Sequence, residues 1–221
     1  MLQLYDQLLQ YPLFLGMSHA ELMQLVGNTR FEFCRLEPDK IIAQEGELCN
    51  RLVFLMKGKI AVQGFSDNRS WSVVEELAAP WMLEPESLFG LSNRYAKTYT
   101  TLTECHFLFL SKDEVLRLLD DFLTFRLNVL NLLSTSSQQR GRRFWRNAPH
   151  TLEERIVHFF IDHCLYPAGR KEFRILMKQL ADLVNDSRLD VSVVLNNMQQ
   201  SGLLELSRGR IVVLSLERLF M

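Results

Sequence analysis

The segment LADLVNDSRLDVSVVL, residues 180–195, constrains the fold more than any other part of the chain. It has the pattern of two helical fragments around a polar joint. Ala181 is small enough to lie where two helices cross, and Asn185 is the residue type that, after glycine, best tolerates a left-handed turn. Ser187 and Asp190 have the spacing of a capping box that starts the second helix. The segment therefore predicts either a helix-turn-helix or a plain helical hairpin.

The outward face of the second helix favours the helix-turn-helix. Four apolar side chains would face the small core: Val191, Val194, Leu195 and Met198. Five side chains would then face outward: Arg188, Leu189, Ser192, Val193 and Asn196. Solvated helix faces are normally rich in Glu and Lys, whereas this face is neutral or apolar beyond Arg188. We therefore expect it to contact a partner.

A hairpin follows the two helices. The stretch GLLELSRGRIVVLS, residues 202–215, has two β-prone arms around a Ser-Arg-Gly-Arg turn. Such a hairpin directly after a helix-turn-helix is the wing of a winged helix, and it would carry Arg208 and Arg210.

The charge of the chain is unevenly distributed, which the net charge of -1 and the pI near 6.5 conceal. Residues 1–139 hold 12 Lys and Arg against 17 Asp and Glu, whereas residues 140–221 hold 13 against 9. A basic segment attached to an acidic domain fits a DNA-binding module, although a solvated charged face would give the same count.

The first 111 residues predict an antiparallel β sandwich or roll, so the fold class is α+β. Short β-prone runs are broken there by Gly, Asn, Asp and Pro: KIIAQEGE, RLVFLMKGKIAVQGF, WSVVEELAAPWML and TYTTLTECHFLFLS. Gly58 lies where a hairpin is expected to turn. Ser18 with Glu21, ahead of these runs, and Thr151 with Glu154, after them, have the spacing of helix capping boxes.

Residues 112–140 contain no Gly or Pro and predict one long helix. Apolar residues form a stripe along it: Val115, Leu118, Phe122, Phe125, Val129 and Leu132. Such a stripe is either intramolecular core or a dimer interface. Because a helix between two domains has little of its own chain to cover it, we expect a dimer interface. The basic stretch that follows contains a glycine and a proline, so we place a hinge at residues 141–150 and a second domain at residues 151–221.

Several classes of protein have no signature in the chain. No run of about 18 or more apolar residues could span a membrane, and the N-terminus lacks the basic start of a signal peptide, so we expect a cytoplasmic protein without membrane contact. The four cysteines form no CxxC pair, and His158 and His163 do not share a helix face, so we expect no metal and no cofactor. Nucleophile-elbow, P-loop, HExxH and dinucleotide motifs do not occur, so we expect no enzyme.

Together, the predicted roll, linking helix and winged module resemble the catabolite-activator and fumarate-nitrate-regulator (CRP/FNR) family of bacterial transcription factors. The resemblance covers nearly the whole chain and rests on the linking helix and three stretches: PLFLGMSHAEL, EGELCNRLVFLMKGKIAV and LADLVNDSRLDVSVVLNNMQQSGLLELSRGRIVV. It implies a homodimer built on the long helices, with each recognition helix in the major groove of one half of a near-palindromic double-stranded DNA site. It also implies a small-molecule effector, here unidentified, and makes RNA polymerase a candidate partner.

The resemblance implies roles for individual residues of the winged module. Arg188, Leu189 and Val193 correspond to the base-facing positions of the family. Ser187, Arg208 and Arg210 correspond to phosphate contacts. Cyclic-AMP-dependent members often carry an acidic and a basic residue at the second and third base-facing positions, so we expect a different DNA preference here.

The effector segment departs from the family pattern. Cyclic-nucleotide binders of the family use a Gly-Glu pair for the ribose and an Arg-Ser pair for the phosphate. The corresponding stretch, EPESLFGLSNRYAKTYTTL, would form a pocket from five residues: Glu86, Ser87, Arg94, Tyr95 and Ala96. Tyr95 and Ala96 stand where the Arg-Ser pair is expected, and Arg94 lies one position away. We therefore expect a regulator that does not respond to cyclic AMP; the alternative is a ligand-binding module that acts through a protein partner.

Overall fold

The computed structural model describes residues 2–143 and 148–220. The chain forms two compact units. The N-terminal unit lies within residues 1–60 and 77–145, and the C-terminal unit lies within residues 61–76 and 146–221.

The described residues form helices and strands throughout both units. The helices are α1 Leu2–Leu8, α2 His19–Asn28, α3 Lys112–Asp121, α4 Leu123–Arg143, α5 Leu152–Asp162, α6 Met177–Val184 and α7 Arg188–Gln200. Shorter 3-10 helices cover Pro12–Phe14, Pro85–Leu88 and Leu216–Leu219. The strands are β1 Glu32–Leu36, β2 Ile41–Ala43, β3 Arg51–Lys57, β4 Lys59–Phe65, β5 Ser72–Ala78, β6 Trp81–Leu83, β7 Thr98–Thr101, β8 Cys105–Ser111, β9 Lys171–Arg174, β10 Leu204–Ser207 and β11 Arg210–Val213.

The N-terminal unit is built on antiparallel strands, as predicted. One sheet has the strand order β1-β8-β3-β6, and β2 pairs with β7 outside this sheet. Phe54 and Leu55 of β3 and Phe107 and Leu108 of β8 are buried, which places the apolar core at the centre of this sheet. β1 was not predicted, because most of its side chains are exposed and give no apolar alternation.

Gly58 takes the chain from one sheet to another, so its predicted role in a hairpin is wrong. β3 pairs with β6 and β8, and β4 belongs to a different sheet. The φ angle of Gly58 is +102°, and a Cβ atom here would lie 2.5 Å from the carbonyl oxygen of Glu104 and 2.7 Å from Cys105 Sγ. Only glycine fits this position without displacing the backbone.

The chain leaves helical geometry at Phe122, between α3 and α4, so the prediction of one continuous helix over residues 112–140 is wrong. Arg126 stabilises the end of α3. Its Nε donates to the carbonyl oxygen of Leu119 at 2.6 Å. Its Nη2 donates to the carbonyl oxygen of Asp120 at 3.1 Å. No glycine or proline marks the break, because it depends on these contacts and on the burial of Phe122.

Most of the predicted dimer stripe is covered by its own protomer. Four of the six residues are buried: Val115, Leu118, Phe122 and Phe125. The ring of Phe125 lies 5.6 Å from the ring of Phe14, and the Asn128 amide donates to the carbonyl oxygens of Leu13 at 3.0 Å and Leu15 at 2.8 Å. Side chains already covered cannot contact a second copy, so their assignment to a dimer interface is wrong.

A different apolar stripe on α4 is exposed. Val129 and Leu132, the other two predicted interface residues, are only half-buried. Leu123, Leu127 and Leu130 are 63%, 49% and 54% exposed and lie at four- and three-residue steps on one side of the helix. We call these three residues the α4 stripe.

In the C-terminal unit, neighbouring strands follow the order β10-β11-β9-β5-β4. Val73 of β5 lies opposite Phe173 of β9 and shares a buried core with residues of α5, α6 and α7. Residues 61–76 thus belong with the winged module, although the predicted first domain runs over residues 1–111. Of the predicted hinge, residues 144–147 lie outside the described residues, and α4 includes the positions before them.

Candidate nucleic-acid interface

The turn between α6 and α7 has the predicted left-handed backbone at Asn185, with φ 54° and ψ 58°. Arg155 of α5, which sequence analysis missed, holds this turn from one side. Its Nε donates to the carbonyl oxygen of Val184 at 2.9 Å, and its guanidinium pairs with Asp186. The Asp186 amide in turn donates to the carbonyl oxygen of Ala181 at 3.0 Å. Hydrogen bonds to the backbone and the ion pair of Arg155 with Asp186 therefore both fix the angle between α6 and α7.

Ser187 caps α7, but the predicted capping box is only half formed. The Ser187 Oγ accepts from the amide of Asp190 at 3.1 Å. In a full box the Asp190 carboxylate would accept from the Ser187 amide. Here it accepts from the Ser187 hydroxyl at 2.7 Å, and the amide donates to Asp186 Oδ1 at 2.7 Å.

The two faces of α7 are divided nearly as the sequence predicts. Val191, Leu195 and Met198 are buried, and Val194 is half-buried. The outward face begins with the exposed residues Ser187 and Arg188, continues with the half-buried Ser192, and includes Leu189, Val193 and Asn196. Leu189 is 78% exposed and Val193 is 53% exposed. Two apolar side chains so exposed on one helix face indicate a contact surface.

The wing is a tight hairpin beside α7. Ser207 of β10 pairs with Arg210 of β11, which leaves a two-residue loop of Arg208 and Gly209. Gly209 has a φ angle of +71°, a left-handed value that favours glycine. Arg208 is exposed at the tip.

A groove of about 360 Å³ lies between the wing and the start of α7. Four basic residues line it: Lys178, Arg188, Arg208 and Arg210. The structure thus brings together the three arginines selected from the sequence and adds Lys178 near the start of α6. Lys178 has no signal in the sequence, because the apolar periodicity of α6 predicts only its buried face. A groove with this lining is suited to a phosphate backbone.

Arg210 is already paired within the chain. Its guanidinium donates to Glu172 Oε2 at 2.6 Å, while Arg174 Nε donates to Oε1 of the same residue at 2.9 Å. Burial alone would raise the pKa of Glu172, but the hydrogen bonds from Arg210 and Arg174 outweigh it and hold the pKa below its ordinary value. Glu172 therefore stays ionised beside the groove.

The predicted effector segment surrounds a buried carboxylate that sequence analysis did not select, that of Glu84. Its Oε2 accepts from the Ser87 hydroxyl at 3.0 Å and from the Ala96 amide at 2.7 Å. Its Oε1 accepts from the hydroxyl of the buried Tyr99 at 2.9 Å. Burial raises the pKa of Tyr99, and the charge of Glu84 raises it further, so the phenol remains a donor.

The other predicted effector residues do not converge on one point. Glu86 pairs with Arg140 at 2.8 Å on a solvated surface. Arg94 is exposed and donates to the carbonyl oxygen of Gly46 at 2.7 Å. Tyr95 is buried. Of the five predicted residues, only Ser87 and Ala96 contact a shared group.

Models of known protein families match both the roll and the winged module. A model of the cyclic nucleotide-binding domain matches residues 33–122, and a model of the Crp-like helix-turn-helix domain matches residues 154–220. The chain belongs to the CRP/FNR family. Within this family it is a transcription regulator, and the groove between its wing and α7 lies in the Crp-like domain.

Solved structures of other regulators share the fold of this CRP/FNR chain. The catabolite activator protein of Thermus thermophilus is 20% identical, with a TM-score of 0.55 over 95% of this chain and 96% of that one. The c-di-GMP-responsive regulator CLP of Xanthomonas campestris is 19% identical, with a TM-score of 0.50 over 89% and 99%. The sensor domain of the regulator DNR from Pseudomonas aeruginosa is 19% identical, with a TM-score of 0.53 over 62% and 91%. No curated protein sequence gave a significant match.

Within residues 2–143 and 148–220, no three His, Cys, Asp or Glu side chains lie close enough to hold a metal ion. None of the helices in these same ranges combines the length and apolar character needed to cross a membrane.

Proposed function

We propose that this CRP/FNR-type regulator is a homodimer that binds a specific near-palindromic DNA sequence and does not respond to cyclic AMP. The observation that carries the proposal is the groove lined by Lys178, Arg188, Arg208 and Arg210 beside the exposed face of α7. Positive charge along a groove next to an exposed helix matches the charge and shape of duplex DNA.

The side chains of the groove and of the exposed face of α7 divide into two roles. Arg188, exposed at the start of α7, reads a guanine through two hydrogen bonds. Leu189 and Val193 contact thymine methyl groups, because exposed branched side chains cannot hydrogen-bond base edges. The half-site therefore pairs a guanine with neighbouring thymines.

Phosphate contacts fix the register of the protein on DNA without reading sequence. Arg208 at the tip of the wing, Lys178 and the Ser187 hydroxyl are placed for this role. Ser192 and Asn196 lie further along the same face of α7, and the Asn196 amide donates to Ser192 Oγ at 3.4 Å, a weak bond that DNA can replace.

The dimer forms through the α4 stripe. Leu123, Leu127 and Leu130 are exposed, whereas Phe122 and Phe125 are covered by the same chain. Two copies of such a stripe pack in a two-fold arrangement that buries both. Two-fold symmetry in the protein requires two related half-sites in the DNA.

Cyclic AMP lacks a phosphate anchor in this chain. Tyr95 is buried and Ala96 has no charged side chain, while the Arg94 guanidinium is engaged with the backbone of Gly46. A buried phosphate without a guanidinium is strongly unfavourable. Calorimetry with cyclic AMP at micromolar protein should show no saturable heat.

The proposal places the protein in the cytoplasm, where its DNA and RNA polymerase, a further candidate partner, are found. A small-molecule effector other than cyclic AMP is compatible with it. No catalytic step is required, because a regulator of this kind acts by binding.

Selection of DNA fragments by the purified protein tests the function directly. We expect enrichment of a near-palindrome whose half-site centres lie about 10 base pairs, or one helical turn, apart. The same selection with an Arg188→Ala, Arg208→Ala double variant is the control. Recovery of sequences no different from the input pool by the wild type would contradict the proposal.

A further inference from the structure

Glu84 is an unusual residue in the N-terminal unit because its carboxylate is buried and accepts three hydrogen bonds. The residue is 7% exposed. The hydroxyls of Ser87 and Tyr99 and the amide of Ala96 all donate to it, at 3.0, 2.9 and 2.7 Å. A carboxylate removed from water needs such donors to remain charged. The three donors together form a cradle for one anionic group, which we call the Glu84 cradle.

The backbone of Glu84 is strained. Its φ angle is +33° and its ψ angle is 59°, a left-handed conformation that residues with a Cβ atom rarely adopt. The next residue is Pro85, which further disfavours a helical conformation in the residue before it. Strained backbone of this kind persists only where the surroundings hold it, and it is concentrated at functional positions. The contacts that hold it here are those of the carboxylate.

The donors belong to the segment that would carry an effector anchor. Ala96 lies just before β7, Tyr99 lies within β7, and Ser87 lies in the 3-10 helix Pro85–Leu88. The ring of Tyr95 is buried beside them, with its centroid 6.4 Å from that of Tyr99. The segment expected to hold an effector anchor thus binds a carboxylate of the chain itself, and the aromatic ring of Tyr95 lies beside it.

We propose that Glu84 is an internal ligand: its carboxylate occupies the anion site of the roll, and no external anion binds there in the wild type. The inference rests on the proposed function in one respect, that the roll is the effector domain of a regulator. Removing the side chain should expose the Glu84 cradle and create a binding site for a small carboxylate such as acetate.

Thermal unfolding of Glu84→Gly in increasing acetate tests the inference. Glycine removes the carboxylate and accepts the left-handed backbone without strain, so the variant is expected to fold. We expect it to melt at lower temperature than the wild type and to gain about 3 °C or more when tens of millimolar acetate replaces chloride at constant ionic strength. The wild type should show no such gain.

Matched variants separate the cradle from general effects of salt. Glu86→Gly removes a solvated carboxylate two positions away and should not respond to acetate. The double variant Glu84→Gly, Tyr99→Phe lacks one donor. It should need about tenfold more acetate than Glu84→Gly for the same rise in melting temperature. A folded Glu84→Gly that gains nothing from acetate, or a wild type that gains equally, would overturn the inference.

Failure of this inference is distinguishable from failure of the proposed function. DNA binding by the wild type reports only on the function, and the acetate response of Glu84→Gly reports only on the cradle. Inorganic phosphate is added to the wild type in the same melting experiment, and a saturable rise in its melting temperature that Tyr99→Phe abolishes would show an external anion in the cradle and overturn the inference.

Discussion

Lys171 Nζ lies 2.8 Å from Glu75 Oε2 in a pair whose side chains are 0% and 1% exposed. Glu75 also accepts from the backbone amides of Leu165 at 2.7 Å and Tyr166 at 3.3 Å. The pair joins β9 to β5 within the C-terminal unit. β5 lies in the part of the sequence that predicts the roll. The pair therefore links β5 to the sheet of the winged module.

Removing one member of this pair should lower the unfolding free energy of the C-terminal unit. Lys171→Met leaves the Glu75 charge buried without its counter-ion, which costs about 3–5 kcal/mol of unfolding free energy. Urea unfolding followed by circular dichroism measures this loss. The double variant Glu75→Gln, Lys171→Met should recover part of it, because no charge is then buried; a double variant less stable than Lys171→Met would contradict the account.

A charge on the α4 stripe should separate the dimer without unfolding the protomer. Leu127→Glu is expected to raise the dimer dissociation constant about 100-fold, or about 2.7 kcal/mol, because two carboxylates would face each other across the two-fold axis. Light scattering across a concentration series gives the mass. Gln139→Glu adds the same charge at an exposed position on the opposite side of the same helix and is the matched control.

The dimer account fails if Leu127→Glu remains a dimer at low micromolar concentration. Phe125→Glu tells the buried and exposed stripes apart, because Phe125 packs on Phe14 of its own chain. That variant should lose folded structure, which circular dichroism detects, rather than change only its mass.

The ion pair with Glu172 should weaken the binding of Arg210 to DNA. Glu172→Gln removes a negative charge 2.6 Å from Arg210 and should tighten binding to selected and scrambled DNA alike, by roughly fivefold. Fluorescence anisotropy with both DNAs measures this. Glu205→Gln makes the same change in net charge on β10 and should have a smaller effect; equal effects would mean that only net charge matters.

The same residue predicts a pH dependence of stability. The pKa of Glu172 is lower in the folded chain than its ordinary value of 4.5, so its stabilising contribution is fully present above pH 4.5 and is lost as the pH falls through the folded-state pKa. Glu172→Gln should therefore lose less stability than the wild type on acidification below pH 4.5. Thermal melts between pH 7 and pH 3 provide the comparison.

Local sequence signals predicted the winged module well. The left-handed turn at Asn185 and the hairpin around Gly209 depend on residue types that act over a few positions. The capping boxes at Ser18 and Thr151 form as their spacing predicts. Such features are readable because the chain supplies both partners within three or four residues.

Contacts between distant residues were not predictable from pattern. The break at Phe122 depends on Arg126 and on tertiary burial, and the covering of Phe125 depends on Phe14, far earlier in the chain. The pairing of β5 with β9 and the cradle around Glu84 likewise join segments that no periodicity relates. An apolar stripe shows that a helix face is covered, but not by what.

The direct test of the central claim compares Arg188→Ala and Arg208→Ala on selected and scrambled DNA at several salt concentrations. Arg188→Ala should lose about 1–3 kcal/mol of discrimination between the two DNAs, because a bidentate contact to guanine disappears. Arg208→Ala should weaken both DNAs equally and lower the salt slope by about one unit, because a phosphate contact carries no sequence information. If Arg188→Ala weakens both DNAs equally and leaves base preference intact, Arg188 does not read bases and α7 only positions the protein.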